Sequence, residues 1–173
     1  MRVAVLTVSD RSARGERPDA SGPALRRAVE ALGHEVVAAE VVADDRAAVA
    51  ERIRALGRAA DLVLTTGGTG LAPRDTTPEA TRDVLEREVP GIPEEIRRRS
   101  AAKDPRGLLG RGTAGVLPGG ALVLNLPGSP GGAVECLGWV AAALPHAAEV
   151  ARGRAGDCAG GFGGTPAGRG EGA

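Results

Sequence analysis

The sequence predicts an α/β fold, a mostly parallel mixed sheet with helices on both faces. Two observations carry this. Strand-like apolar runs and helix-period segments alternate between Val3 and Thr66, the order that builds parallel sheets. Further on, "RGTAGVLPGGALVLNL" holds two apolar runs joined at Pro118-Gly119-Gly120. That turn makes an antiparallel pair and renders the sheet mixed.

The first strand is "VAVLTV" (Val3 to Val8), rich in β-branched residues. In "SGPALRRAVEALGH", Leu25, Ala28, Val29 and Leu32 share one helical face, with Ser21 as N-cap and Gly33 as the stop. "EVVAAEVV" (Glu35 to Val42) reads as the second strand. "DDRAAVAERIRALGR" places Val49, Ile53 and Leu56 at helical spacing and closes on a glycine. "DLVLTT" (Asp61 to Thr66) is the third strand. Beyond a glycine loop, Thr77 stands as cap of a helix that begins at Pro78, with Val84, Leu85 and Val89 as its stripe. "IPEEIRRRSA" gives another short helix, and the hairpin follows. "GGAVECLGWVAAALPHAAEVARG" is helical with a break near Pro145. Residues 1–152 form one domain, and the Gly-rich stretch 153–173 is predicted to be a flexible tail, because it has too little apolar surface to offset its ordering entropy.

The 173 residues suffice for one real core. Lys+Arg and Asp+Glu are both 22, so the formal net charge is zero, which argues against a general nucleic-acid binder. One Trp, one Phe and no Tyr leave a flat ligand to be held by backbone groups, aliphatic surface or Arg planes. Cys136 and Cys158 have no metal or redox spacing, and nothing suggests a disulfide framework. A reducing cytoplasm is the simplest compartment. "MRVAVLTVSD" is too short an apolar run for a signal peptide, and no run approaches membrane-spanning length.

Ligands of open α/β sheets bind beyond the carboxyl ends of the strands. Four polar motifs sit where strands run out: Ser9-Asp10, Asp44-Asp45, "GGTG" (Gly67 to Gly70) and "PGSPGG" (Pro127 to Gly132). In the predicted sheet they converge on one rim. The glycines either form a nest of N–H groups for an anion or simply allow tight packing. Thr65, Thr66 and Thr69 add hydroxyls. The motif is neither a Walker A loop nor a dinucleotide fingerprint. Asp75 is either a magnesium ligand beside bound phosphates or a solvated loop residue. Arg74 serves phosphate or faces water. Asp44 is either the N-cap of the next helix or a functional acid on the rim it shares with Asp75. The loop opened by Ser9-Asp10 holds several arginines and is suited to closing over a polyanion. Pro127, Gly128, Ser129 and Pro130 offer a rigid turn, a hydroxyl and N–H groups before a helix. His34, His146 and Trp139 read as structural, and no Ser-His-Asp or Cys-His set is present.

"TTGGTGLAPRDTTPEAT", "REVPGIPEEIRRRS" and "LVLNLPGSP" together resemble the molybdenum cofactor biosynthesis proteins of the MoaB/Mog type, relatives of the G domain of gephyrin. The resemblance runs from about Val3 to about Gly153. It implies a three-layer α/β/α molybdopterin-binding fold, usually trimeric, with a hexamer as the open alternative. It implies an adenylyltransferase, in which the terminal phosphate of molybdopterin attacks the α-phosphate of MgATP. It assigns catalysis and Mg2+ binding to Asp75 and Asp44. Substrate binding falls to Ser9, Asp10, Thr66, Gly67, Gly68, Thr69, Gly70, Pro127, Gly128, Ser129 and Pro130. Its partners would be molybdopterin, ATP and a molybdenum insertion enzyme, with no nucleic acid and no membrane. The inventory suits this chemistry, since a phosphate nucleophile is already ionised near neutral pH and needs no histidine base. A molybdopterin-binding carrier or scaffold without activity is the alternative. A third reading, a nucleotide-processing domain of related fold, lacks the second domain with which it is elsewhere fused. One departure stands out: relatives often have Leu-Ser-Arg where this chain has Leu109-Gly110-Arg111.

Overall fold

The computed structural model describes residues 1–154. Apart from its first two residues, the segment read as a tail lies outside the described residues. Among the described residues there are six strands: β1 (Arg2–Val8), β2 (Glu35–Val42), β3 (Leu62–Thr66), β4 (Arg87–Glu88), β5 (Ala114–Val116) and β6 (Leu122–Leu126). They form one sheet in the order β2-β1-β3-β6-β5-β4. β1 is parallel to β2 and β3, and β3 is parallel to β6. β5 runs antiparallel to β6 and to β4. The helices are α1 (Asp10–Ala13), α2 (Ser21–Ala31), α3 (Arg46–Ala59), α4 (Thr77–Arg82), α5 (Gly91–Lys103), α6 (Pro130–Val140) and α7 (Leu144–Ala151).

Strand alternation makes the three layers. Val3 and Val5 of β1, Leu62 and Leu64 of β3, and Leu122 and Leu124 of β6 point to one face, where α2, α5, α6 and α7 cover them. Ala4, Leu6, Val63 and Val123 point to the other, under α3 and α4. With both faces covered, the central strands read as continuous apolar runs rather than alternating ones. Edge strand β2 is only half buried. Among the described residues no helix is long and apolar enough to cross a membrane.

Several local expectations are corrected. Ser21 does not cap α2; Asp19 does, its Oδ1 accepting from the amides of Ser21 and Gly22, each at 3.0 Å. The glycine expected to close α3 is Gly57, which lies inside the helix. A Cβ there would come 2.5 Å from Leu117 Cδ1, so close helix-to-sheet packing explains it. Thr77 begins α4 without capping it, and α4 ends at Arg82. Val84, Leu85 and Val89 therefore lie beyond the helix, around the two-residue strand β4. The last helical segment breaks at Ala141–Ala143, one turn before Pro145, in a short 3₁₀ turn. Gly33 does end its helix, at φ 77°.

α5 packs along α6 on the first face. Lys103 pairs with Glu135, and its ammonium lies 5.9 Å from the ring centre of Trp139. Ser100 Oγ sits 3.9 Å from the buried Cys136 Sγ.

On the second face a buried amide ties four segments together. Asn125 Nδ2 donates to Thr65 Oγ1 and Thr81 Oγ1, both at 2.9 Å, while its Oδ1 accepts from the Thr113 amide at 3.1 Å. The Thr81 hydroxyl in turn donates to Thr77 O at 2.8 Å. Asn125→Leu keeps the volume but leaves the Thr113 N–H without an acceptor and the two threonines without their donor. It is expected to cost about 2–4 kcal/mol, read from urea or guanidinium unfolding at unchanged m-value.

Candidate active site

The parallel strands β1, β2, β3 and β6 end on one rim, and glycines let the ends close on each other. Gly67, at φ 100°, lies directly under β1: a Cβ there would stand 2.2 Å from Val8 O. No other residue fits that backbone conformation and that contact together. A Cβ on Gly128 would lie 3.2 Å from Gly67 Cα, which brings the loop after β6 to the same point. Thr66 Oγ1 donates to Pro127 O at 2.6 Å and locks the two loops. None of the amides of Gly68, Thr69 and Gly70 donates to a backbone acceptor among the described residues. These N–H groups are the donors a phosphate needs.

Three acids gather around this loop. Asp44 and Asp10 clasp each other's backbone: Asp10 N donates to Asp44 Oδ2 at 2.6 Å, and Asp44 N donates to Asp10 Oδ1 at 3.1 Å. Asp44 does not cap α3. Its neighbour Asp45 does, accepting from the Ala48 amide at 2.8 Å, so Asp44 is left to the rim. Gly68, at φ 61°, touches the same place: a Cβ there would lie 3.1 Å from Asp44 Oδ1 and 2.3 Å from the buried Thr77 Oγ1. A Cβ on Gly70 would lie 2.8 Å from Asp75 Oδ2. The glycine loop thus passes both acids. Asp75 holds its own turn, its Oδ2 accepting from the Ala72 amide at 2.9 Å.

The electrostatics differ from one acid to the next. Arg74 forks onto Asp10 at 2.5 and 2.8 Å. That charge-assisted pair holds the Asp10 carboxyl below the usual aspartate range. Asp44 goes the other way: burial raises it, and the charges of Asp10 and Asp75 add to the rise.

Two recesses flank the glycine loop. A polar one of about 310 Å³ is lined by Ser9, Asp44, Thr66, Gly67, Gly68, Asp75 and Gly128. An apolar one of about 300 Å³ lies on the other side, between Thr69, Gly70, Leu126, Pro127 and the α5 residues Ile96 and Ser100. Asp10 is not among the residues lining the polar recess and is tied to it through its bond with Asp44. Ser129 and Pro130 start α6 on the rim, both exposed. The hydroxyls of Thr65 and Thr66 are corrected: both residues are fully buried, Thr65 accepts from Asn125 and Thr66 donates to Pro127. Thr66 therefore meets the recess by its backbone, and of the three threonine hydroxyls only that of Thr69 stays available. Ser9 Oγ accepts from the Ser12 amide at 3.3 Å, capping the short α1.

Sequence reasoning missed Arg17, Asp19 and Ser12 in the polar recess and Arg97 and Ser100 in the apolar one. An aspartate two residues before the Ser21-Gly22 helix start was the available signal for Asp19. Ser12 and Arg17 lie in the arginine-holding loop opened by Ser9-Asp10, while nothing local marks Arg97 and Ser100. Among the described residues no three His, Cys, Asp or Glu side chains form a metal-binding group. Two carboxylates beside a phosphate cradle fit a divalent cation that completes its shell with phosphate oxygens and water.

Residues 4–146 match the family model described as a probable molybdopterin binding domain. The molybdenum cofactor synthesis protein cinnamon of Drosophila melanogaster is 40% identical over 149 residues, which are 84% of this chain and 25% of that protein. This chain thus spans about a quarter of that relative. A molybdopterin adenylyltransferase of Helicobacter pylori is 36% identical over 154 residues, 87% of each protein. The crystal structure of the molybdopterin biosynthesis enzyme MoaB from Thermus thermophilus superposes with a TM-score of 0.81 at 49% identity, covering 88% of this chain and 96% of that one.

The raised carboxyl of Asp44 sets a sign. Between the ordinary aspartate range and its raised value, the folded chain keeps a proton that the unfolded chain has lost. Stability therefore falls as pH rises through that window, and the full penalty is present at neutral pH. Asp44→Asn keeps the acceptor for the Asp10 amide and removes the charge. Its thermal midpoint is expected to match the parent's in acid and to exceed it increasingly toward neutral pH, in calorimetric scans across that range.

Proposed function

Because the chain belongs to the family of probable molybdopterin binding domains, we propose that it transfers AMP from MgATP to the terminal phosphate of molybdopterin. Adenylylated molybdopterin and pyrophosphate are the products, and a molybdenum insertion enzyme is the consumer. The observation that carries this reading is the placement of Asp44 and Asp75 against opposite ends of one glycine loop, with a recess on each side of it. Two substrates must meet at their phosphates, and this loop is where two recesses meet.

The chemistry needs no histidine. The attacking phosphate oxygen is ionised, the bond from the α-phosphorus to the pyrophosphate oxygen breaks, and no proton has to be removed first. Rate then comes from aligning the two phosphates and balancing their charge. The amides of Gly68, Thr69 and Gly70 supply donors. Asp44 and Asp75 would hold Mg2+, which neutralises phosphate charge when bound. Arg74, which pairs with Asp10, would turn its guanidinium to an incoming phosphate. The apolar recess suits a flat ring held by aliphatic surface and the Arg97 side chain, as a chain with so few aromatics requires. The trimer and the cytoplasmic setting implied by the resemblance belong to the same reading.

Incubation with molybdopterin, ATP and Mg2+ tests it. Adenylylated molybdopterin is the expected product; molybdopterin retained without adenylylation would make the protein a carrier. Asp75→Asn is expected to fold normally and to lose about 10²–10³-fold in kcat, the scale of removing one electrostatic stabiliser. Turnover at the parent rate would remove Asp75 from metal binding. Light scattering at micromolar concentration is expected to give three times the chain mass, and a clean monomer would end the trimer proposal.

A further inference from the structure

The segment from Leu71 to Arg74 is exposed throughout, yet it must deliver Asp75 to a fixed place. Its ends are gripped by one side chain. Arg111 Nε donates to Gly70 O at 2.7 Å and its Nη2 donates to Asp75 O, while Nη1 pairs with Glu79 in the first turn of α4. The Arg111 amide adds a bond to Thr69 O at 3.1 Å. Thus one guanidinium binds the residue before the exposed segment, the residue after it and the helix that follows.

Arg111 is itself held from below. Two residues on, the Thr113 amide is bound by Asn125 Oδ1. Between them Gly112 lies so close that a Cβ would stand 2.9 Å from Asn125 O. The arginine therefore grows from backbone anchored to β6 just before β5 into a part with little packing of its own. Its Glu79 partner leaves Oε2 buried with no hydrogen bond, so that carboxylate depends on Arg111 for compensation. A lysine would keep the charge but has no planar fork to reach two carbonyls and a carboxylate at once.

We infer that Arg111 is a positioning residue that sets the place of the Asp75 carboxylate by clasping both ends of the 70–75 turn. Its guanidinium is engaged by Gly70 O, Asp75 O and Glu79. The inference rests on the proposed metal role of Asp75, and outer groups that orient a metal-binding carboxylate typically change metal affinity 10–100-fold when removed.

The test compares the parent, Arg111→Lys, Arg111→Ala, Asp75→Asn and the two double variants, all as full-length chain. The first readout is hydrogen exchange without ligand at the Ala72 and Asp75 amides, which bond to Asp75 Oδ2 and Ala72 O inside the turn. Exchange there is expected to quicken at least about tenfold in Arg111→Ala, with the Asn125 amide unchanged. The second is Mn2+ affinity, by electron paramagnetic resonance, with a non-hydrolysable ATP analogue present. Both Arg111 variants are expected to weaken it about 10–100-fold, with no further loss when Asp75 is already Asn. Unchanged exchange in the turn, or an equal loss of Mn2+ affinity on both backgrounds, overturns the inference. If the parent holds no Mn2+ with the analogue, the metal reading of the site fails, and the exchange data alone decide the clasp. Should Arg111→Ala not fold, Arg111→Lys carries both readouts.

Discussion

The site hangs from one buried amide. Asn125 lies on β6, the strand that separates the parallel part of the sheet from its antiparallel part, and its side chain satisfies groups on β3, on α4 and just before β5. In a low-dielectric interior each of those groups would be costly alone. The bonds are also directional, so they fix angles that apolar packing leaves loose. Through Thr81 and Thr77 they seat α4 against the end of β3, and through Thr113 they seat the backbone from which Arg111 departs. The glycine loop therefore runs between two anchored walls, although the segment from Leu71 to Arg74 that follows it is exposed.

Charge is arranged as carefully as shape. Asp10, Asp44 and Asp75 approach one another at the rim, and Arg74 pairs directly with Asp10 while Arg17 lines the polar recess. Arg74 stabilises the ionised form of Asp10, while Asp44 remains burdened by burial and by its like-charged neighbours. Such a group is a cost to the fold that the proposed cation would relieve, a trade that functional sites commonly make.

The strands were legible because each central one is an uninterrupted apolar run that no helix of that length would show. The rim was legible for the same reason, since strand ends locate it without any knowledge of side-chain contacts. β4 was not: Arg87 and Glu88 are both exposed and polar, and they are a strand only because Arg87 pairs with Val116 and Glu88 with Gly115. The choice between Asp44 and Asp45 as helix cap was also beyond reach, because either acid can start a helix, and the deciding contact comes from Asp10, 34 residues earlier. The clasp made by Arg111 had no signal in the sequence, since two of its partners are carbonyl oxygens 41 and 36 residues back in the chain, and any residue type can supply a carbonyl. Gly57 misled in the opposite sense. A glycine near a helix end usually stops it, yet here it makes room for Leu117.

The packing of α5 on α6 has an optical consequence. The chain holds a single tryptophan and no tyrosine, so its near-ultraviolet absorption and emission come almost entirely from Trp139. That ring is partly buried on α6 with the Lys103 ammonium of α5 beside it, and the same α5 lines the apolar recess through Ile96 and Ser100. An intrinsic fluorophore is thus wired to one wall of a cavity, and its colour and intensity register any shift of that wall without a label being attached.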